Sequence, residues 1–458
     1  MSKLSMARVR HECRNWWRGL TCVSRRFSSG GRSWQFFPPG LPFLLLAMGF
    51  FAACGNPPSN SNNINFPYGI AVCSYTCNIP PGSSSTILSL NSTPFAAVTS
   101  YGTRQILIFS GSAYDSTSGF LVSHASLSPT AYLYNSLQGP DGVLISTQGF
   151  TANGFNCPAP VLYGTDGIGN KIGIWCAFNP ANTANPAPTI TINASALSSP
   201  EGMALDWVNA SGGTLSVPIL FVANPGSSNI LAFNLSQIPG PGNITLSPSG
   251  DLLPGTNGGL PFGQPANNTA LNGPAFVAFS NSQNTLFVSN TGNSQVNIYG
   301  NGFCVGVNLE STAATGCASS NQNITPTVWL SGGNTYLSSP VGIRYYQGSL
   351  YVADSGANAV LVWDNLTTGG NIAPTRRING GNTGFNAVYA LAIDDNPAQP
   401  PGNIFYLTQL NNGNLLGYNN ATTVSGNIAP TFTINVINPT LSTGNGAGGG
   451  TTGYPGFP

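Results

Sequence analysis

A motif that returns about every 60 residues constrains this chain more than any other feature. Its clearest copy is Leu337 to Asn365, LSSPVGIRYYQGSLYVADSGANAVLVWDN. Val341 to Tyr346 is β-rich, Gln347-Gly348 supplies a hairpin turn, Ser349 to Ala353 reads as a second strand, and Ala359 to Trp363 as a third. Related runs are VTSYGTRQILIF from Val98, VLYGTDGIGNKIGIW from Val161, ILFVANPGSSNILAF from Ile219, LFVSNTGNSQVNIY from Leu286 and IFYLTQLNNGNLLGY from Ile404. With Tyr101, Asp166, Asn224, Asn290, Asp354 and Gln409 as equivalent points, the steps are 65, 58, 66, 64 and 55 residues. Six units then fill the chain from about Phe66 to Asn435.

Two further landmarks frame each unit. Pro67-Tyr68-Gly69, Pro140-Asp141-Gly142, Pro200-Glu201-Gly202, Pro274-Ala275-Phe276 and Pro340-Val341-Gly342 open a first strand, and the sixth unit offers only Asn386-Ala387-Val388. Pro186-Ala187-Pro188-Thr189, Ile324-Thr325-Pro326-Thr327, Gly370-Asn371-Ile372-Ala373-Pro374-Thr375 and Gly426-Asn427-Ile428-Ala429-Pro430-Thr431 open a last one. Proline has no N–H to give a ladder, so it is tolerated at strand starts and edges, where all of these fall. Each unit is therefore expected to be a four-stranded antiparallel sheet. A β-sandwich or a solenoid is the alternative, although solenoid repeats are usually shorter.

Pro-x-Gly, a strand, then Leu-Tyr-Val-Ala-Asp and an Asn-rich turn resembles the NHL repeat family, most strongly over Pro340 to Trp363. The resemblance implies an all-β, six-bladed β-propeller of four-stranded antiparallel blades over residues 66–441. It also implies that the first strand of each blade lines a central channel.

The first 53 residues differ from the rest. They carry eight of the 13 Lys and Arg and run into the apolar stretch Leu41 to Ala53, which ends at Cys54. A basic segment, an apolar core of about a dozen residues and a small-residue end is the pattern of an export signal. It is too short for a comfortable membrane span. Phe51-Ala52-Ala53-Cys54 resembles the bacterial lipobox, which implies lipidation of Cys54 and an outer-membrane or cell-surface lipoprotein held to the membrane by its lipid. Ordinary cleavage and an uncleaved anchor are the alternatives, and Arg25-Arg26-Phe27 hints at a twin-arginine signal. Residues 54–65 read as a flexible tether. Residues 442–458, rich in Gly and Thr, read as a disordered tail or a last ring-closing strand.

Outside the cytoplasm, the six cysteines that remain suggest three disulfides. The pairing favoured among 15 connectivities is local: Cys73 with Cys77, Cys157 with Cys176, and Cys304 with Cys317. Beyond residue 53 only Arg104, Lys171, Arg344, Arg376 and Arg377 are basic, against eleven acidic residues, a net charge of −6. Solubility then rests on Asn, Ser, Thr and Gly. With so few groups that titrate differently on folding, the chain is expected to tolerate acid.

That composition excludes much chemistry. The mature chain has one histidine, His124, in a polar Ser-His-Ala-Ser run, which does not suit a Ser-His-Asp arrangement. Lys171 follows Asn170 and not a glycine, so no Walker loop is present, and no basic stripe invites nucleic acid. One constellation survives. If the residue after each landmark proline faces the channel, the ring is Tyr68, Asp141, Glu201, Ala275, Val341 and Val388, with two acids on neighbouring blades. Asp141 and Glu201 are candidate ligands for Ca²⁺ or another divalent cation. In gluconolactonase-like propellers, which this Pro-x-Gly strand also resembles, acids at such positions hold a catalytic metal. The expectation is a binding or scaffold module for a protein or carbohydrate ligand, with a metal-dependent hydrolase or lyase as the alternative. Asp166 and Asp354 are expected to open turns and tie each hairpin to the next strand.

Overall fold

A computed structural model describes residues 67–73, 95–110, 114–115, 119–120, 126–182, 184–209, 216–248, 250–252, 271–280, 283–300, 326–366, 368–394, 404–411 and 413–436. The predicted leader with Cys54, the tether, the tail and His124 lie outside them. Six small antiparallel sheets stand in a ring. Blade 1 is Ile70–Cys73, Phe95–Ser100, Gln105–Ser110 and Ala131–Leu133. Blade 2 is Pro140–Ser146, Val161–Asp166, Lys171–Trp175 and Ile190–Asn193. Blade 3 is Met203–Asn209, Ser216–Asn224, Asn229–Asn234 and Gly250–Leu252. Blade 4 is Pro274–Ser280, Thr285–Asn290, Gln295–Gly300 and Val328–Leu330. Blade 5 is Pro340–Tyr346, Ser349–Asp354, Ala359–Asp364 and Arg376–Ile378. Blade 6 is Val388–Asp394, Ile404–Gln409, Asn414–Tyr418 and Phe432–Val436. Each first strand packs against the first strand of the next blade, and that of blade 6 packs against that of blade 1. The predicted six-bladed propeller is the fold.

Stacking blades side by side buries both faces of every sheet. The middle strands are therefore continuously apolar where a one-sided sheet would alternate: Phe95 to Val98 and Leu350 to Ala353 are all buried. One core layer shows the pattern, joining Ile70, Val98, Leu107 and Phe109 of blade 1 to Ala392, Tyr406, Leu415 and Ile434 of blade 6.

The end of each second strand carries a polar knot. Asp354 accepts N–H bonds from Ser338 (2.8 Å), Ser339 (2.9 Å) and Ala357 (2.8 Å), and Asp166 does the same for Gln138, Gly139 and Gly169. The expected turn is present. Its second tie, however, runs back to the loop entering the blade's own first strand, not forward to the next strand. Asn224, Asn290 and Gln409 hold the corresponding N–H groups of Ser198, Asn272 and Asn386. In blade 1 the equivalent point is Ser100, which pairs with Gln105 as Asp166 pairs with Lys171, so the assignment to Tyr101 was one residue late.

Between blades the cement is also polar. The loop before an outer strand reaches back to the preceding blade and adds to its edge in parallel: Gly242–Thr245 on blade 2, Ser126–Leu127 on blade 6, and single bridges from Gly370 to Leu330 and from Gly426 to Ile378. Exposed sheet edges are aggregation sites, and these loops cover them. The Asn of the last-strand landmark fastens this reach. Asn371 Oδ1 accepts from Asn334 N at 2.7 Å and Asn427 Oδ1 from Asn382 N at 2.8 Å; Asn185, one residue ahead of the Pro186 landmark, likewise ties blade 2 to blade 1 by accepting from Tyr134 N at 2.8 Å. The landmark Thr closes the third strand: Thr375 Oγ1 accepts from Asp364 N and donates to Val362 O.

Cys157 and Cys176 are joined, with Cα atoms 5.0 Å apart, as the local pairing predicted. The bond staples a hairpin, Phe150–Ala152 with Phe155–Cys157, to the end of the third strand of blade 2. Cys73 closes the first strand of blade 1, and its predicted partner Cys77, like Cys304 and Cys317, lies outside the described residues.

Candidate functional site

The predicted channel ring begins with a break in each ladder. Pairing between first and second strands slips after Pro274, Pro340 and Val388, so the next residue leaves the regular alternation. That residue turns to the axis, because ring residues of opposite blades meet there. The Tyr389 hydroxyl of blade 6 donates to Glu201 Oε2 of blade 3 at 3.4 Å, and its ring packs edge-on against Tyr68 of blade 1 at 4.6 Å and Phe276 of blade 4 at 6.0 Å. The ring member in blade 6 is thus Tyr389, and Val388 takes the place of the missing proline. Val388 pairs with Gln409 as Pro340 pairs with Asp354.

Crowding at the axis explains the glycine of Pro-x-Gly. A Cβ on Gly142 would stand 2.2 Å from Glu201 O, and one on Gly342 would stand 2.5 Å from Tyr389 O. A hydroxyl on the second strand then links neighbouring blades. Thr99 Oγ1 accepts from Gly69 N (2.6 Å) and donates to Asp141 O (2.8 Å); Thr165 Oγ1 accepts from Gly142 N (2.7 Å) and donates to Glu201 O (2.6 Å). Ser289 does the same between Phe276 N and Val341 O. Blade 3 has Ala223 at this position, and there Gly202 N donates straight to Ala275 O at 2.9 Å. The signal was in the sequence, as a small hydroxyl residue just before the repeat's Asp or Asn.

Asp141 and Glu201 are both buried, at 1% and 2% exposure, and their backbones lie on neighbouring blades as predicted. Their carboxylates head for different partners. Asp141 Oδ2 fills the space that Gly167 leaves open, 1.9 Å from where a Cβ would be, whereas Glu201 reaches the Tyr389 hydroxyl. Among the described residues no group of three or more His, Cys, Asp or Glu lies close enough to hold a metal ion. Ca²⁺ takes roughly six to eight oxygens, so this pair would need several backbone carbonyls or waters to complete a shell.

No family model matches the chain, and no curated protein matches it. Solved structures similar to it include a catalytically inactive virginiamycin B lyase from Staphylococcus aureus with quinupristin, at 12% identity over 81% of this chain and 87% of that one, TM-score 0.38. Another is the PQQ-bound aldose sugar dehydrogenase from Streptomyces coelicolor, at 15% identity over 78% and 94%, TM-score 0.39. A third is a chain of Polycomb Repressive Complex 2 from Chaetomium thermophilum, at 10% identity over 79% and 71%, TM-score 0.44. Similarity at this level does not extend to chemistry.

Two acids of blade 5 are shifted in opposite directions. Two hydrogen bonds from the Arg376 guanidinium hold the Asp364 carboxyl at a pKa of about 2, and Arg376 also donates to Ala421 O and Val424 O of blade 6. Burial pushes Asp354 the other way, up. A depressed carboxyl stabilises the fold above its unfolded pKa of about 3.9, and that contribution fades as pH falls from about 4 through 2. A raised one favours the fold more as pH falls. The two oppose each other, so thermal melts at pH 7 and pH 3 should differ by only a few degrees; a fall of tens of degrees would contradict this.

Proposed function

We propose that this protein is an exported, lipid-anchored propeller that acts as a rigid binding platform, with ligands met on its faces and rim and no chemistry in its shaft. The observation that carries this reading is the axis itself, where the ring of Tyr389 packs against those of Tyr68 and Phe276 from two other blades. A scaffold gains from such a plug, because it ties opposite blades together. An enzyme working through the channel mouth needs open space there. The disulfide supports export, since such bonds persist in oxidising compartments. Cys54 is the proposed lipidated residue, and the outer membrane or cell surface the proposed location.

The rival is a metal-dependent hydrolase or lyase that uses Asp141 and Glu201, the two buried acids of the ring. Calorimetric titration with Ca²⁺, Mg²⁺ and Zn²⁺ separates the two. The platform reading expects no heat of binding, whereas binding that disappears in Asp141→Ala with Glu201→Ala would establish the rival. Mass spectrometry of the mature N-terminus tests the anchor, and an unacylated terminus would overturn that part.

A further inference from the structure

Blades 4 and 5 end in the same turn, except that blade 4 alone adds a bond from Tyr336 N–H to Gly333 O at 3.4 Å. Gly332-Gly333-Asn334-Thr335 follows the outer strand of blade 4, and Gly380-Gly381-Asn382-Thr383 follows that of blade 5. Each threonine is buried and donates to the first glycine's carbonyl, at 2.7 Å and 2.8 Å. Each asparagine N–H is held by the next blade's landmark Asn, at 2.7 Å and 2.8 Å. The residue that closes the turn is left-handed in both, with φ 57°, ψ 13° in one and φ 67°, ψ 13° in the other. Blade 5 uses Gly384 there, the residue this conformation favours. Blade 4 uses Tyr336.

A tyrosine in that conformation is disfavoured, and this ring does not repay it by burial, being 48% exposed. A second difference accompanies the first. Against Tyr336 the next blade places Arg377, whose guanidinium carbon lies 4.3 Å from the ring centroid. In the other copy the same register position is Thr433: Arg377 pairs with Leu361 as Thr433 pairs with Leu416. The two substitutions therefore occur together, Tyr with Arg or Gly with Thr. Unlike its neighbour Arg376, which is paired with Asp364, Arg377 has no carboxylate among the described residues, and its buried Nε has no hydrogen-bond partner.

We infer that Tyr336 and Arg377, on the rim between blades 4 and 5, form a binding site for an acidic saccharide that carries a carboxylate, such as a uronate chain. This rests on the binding-platform reading and gives that platform a ligand class. A guanidinium held over an aromatic ring presents its N–H groups in a fixed fork, which matches the two oxygens of a carboxylate. The exposed part of the tyrosine offers a flat apolar surface for the C–H face of a pyranose. Beside the turn stand exposed Asn334 and Asn371, neutral amides suited to sugar hydroxyls.

The test uses the full mature protein, an oligogalacturonate as probe, a neutral oligosaccharide of equal length, and a short peptide with a free C-terminal carboxylate, followed by calorimetry. Tyr336→Gly and Arg377→Thr each install what the molecule already uses one blade further on. Both should melt no lower than wild type, and Tyr336→Gly somewhat higher. Wild type should bind the oligogalacturonate more weakly as salt rises, and each variant should lose about tenfold or more in affinity. Absence of oligogalacturonate binding by wild type overturns the site, as do unchanged affinities in the variants. Equal binding of the neutral sugar removes the carboxylate, and preference for the peptide removes the saccharide. If the site fails while the protein remains metal-silent and acylated, the platform reading stands without it; metal binding lost with Asp141 and Glu201 sinks the platform reading instead.

Discussion

Tyr389→Ala is expected to destabilise the propeller by about 3–5 kcal/mol, the usual range for removing a large side chain from a packed core. Tyr389 is 8% exposed and touches three other blades, through Tyr68, Phe276 and Glu201. Truncation opens a cavity where six strands converge, and it takes a hydroxyl donor from a buried carboxylate. Ring residues cannot collapse inward to fill the gap, because glycine contacts such as that of Gly142 with Glu201 already set the distance between blades. Tyr389→Phe keeps the ring and loses only the hydroxyl, so it should cost about 1 kcal/mol. Denaturant midpoints for the three proteins decide the matter. A cost below about 1 kcal/mol for the alanine variant would mean that the shaft is hydrated and not a packed tie between blades, contrary to a platform.

Removing the disulfide, by Cys157→Ser with Cys176→Ser, should cost about 3 kcal/mol, from the chain entropy regained by a loop of this length. The separation is 19 residues. The bond anchors a hairpin whose Phe150 and Ala152 enter the core shared by blades 2 and 3, while Asn153 Nδ2 donates to Ile238 O at 3.1 Å. That second anchorage predicts a graded loss. In hydrogen exchange the hairpin should lose protection first, and the six-bladed ring should persist. A reductant should lower the melting temperature of wild type to that of the double variant and leave the variant unmoved. Equal melting temperatures for wild type and variant without reductant would show that the bond contributes nothing.

Much of the blade plan was legible because it rests on local patterns. In the clearest copy the second and third strands were read to within one residue of Ser349–Asp354 and Ala359–Asp364. Misses fell where the deciding partner lies on another part of the chain. The sixth unit lacks its proline, and sequence likeness aligned Val388 with the ring; only its pairing with Gln409 moves the ring position to Tyr389. The second tie of Asp354 runs backward because the loop entering the blade's own first strand is its nearest unsatisfied backbone, a proximity created by the fold. The landmark asparagines were seen as strand openers, but their work is done on the preceding blade, and no local propensity reports that. Tyr336 was invisible for a related reason: a tyrosine after Gly-Gly-Asn-Thr reads as ordinary, and only its left-handed backbone, set beside Gly384 in the matching turn and with Arg377 over its ring, marks it out.

Each blade is made from one unbroken stretch of chain, and the ring is closed by face-to-face packing of blades 6 and 1 with the two-residue clasp of Ser126–Leu127 on Phe432–Val436. Among the described residues the four main strands of every blade come from one stretch, and the clasp between blades 6 and 1 is of the same kind as the one that joins blade 3 to blade 2. The junctions of blades 2 and 3, 4 and 5, 5 and 6, and 6 and 1 are clasped in the same way, so each can serve as a place to open the circle. A circularly permuted chain that begins at blade 3 or blade 5 would keep all six sheets whole, and during synthesis each sheet can form before the next has emerged.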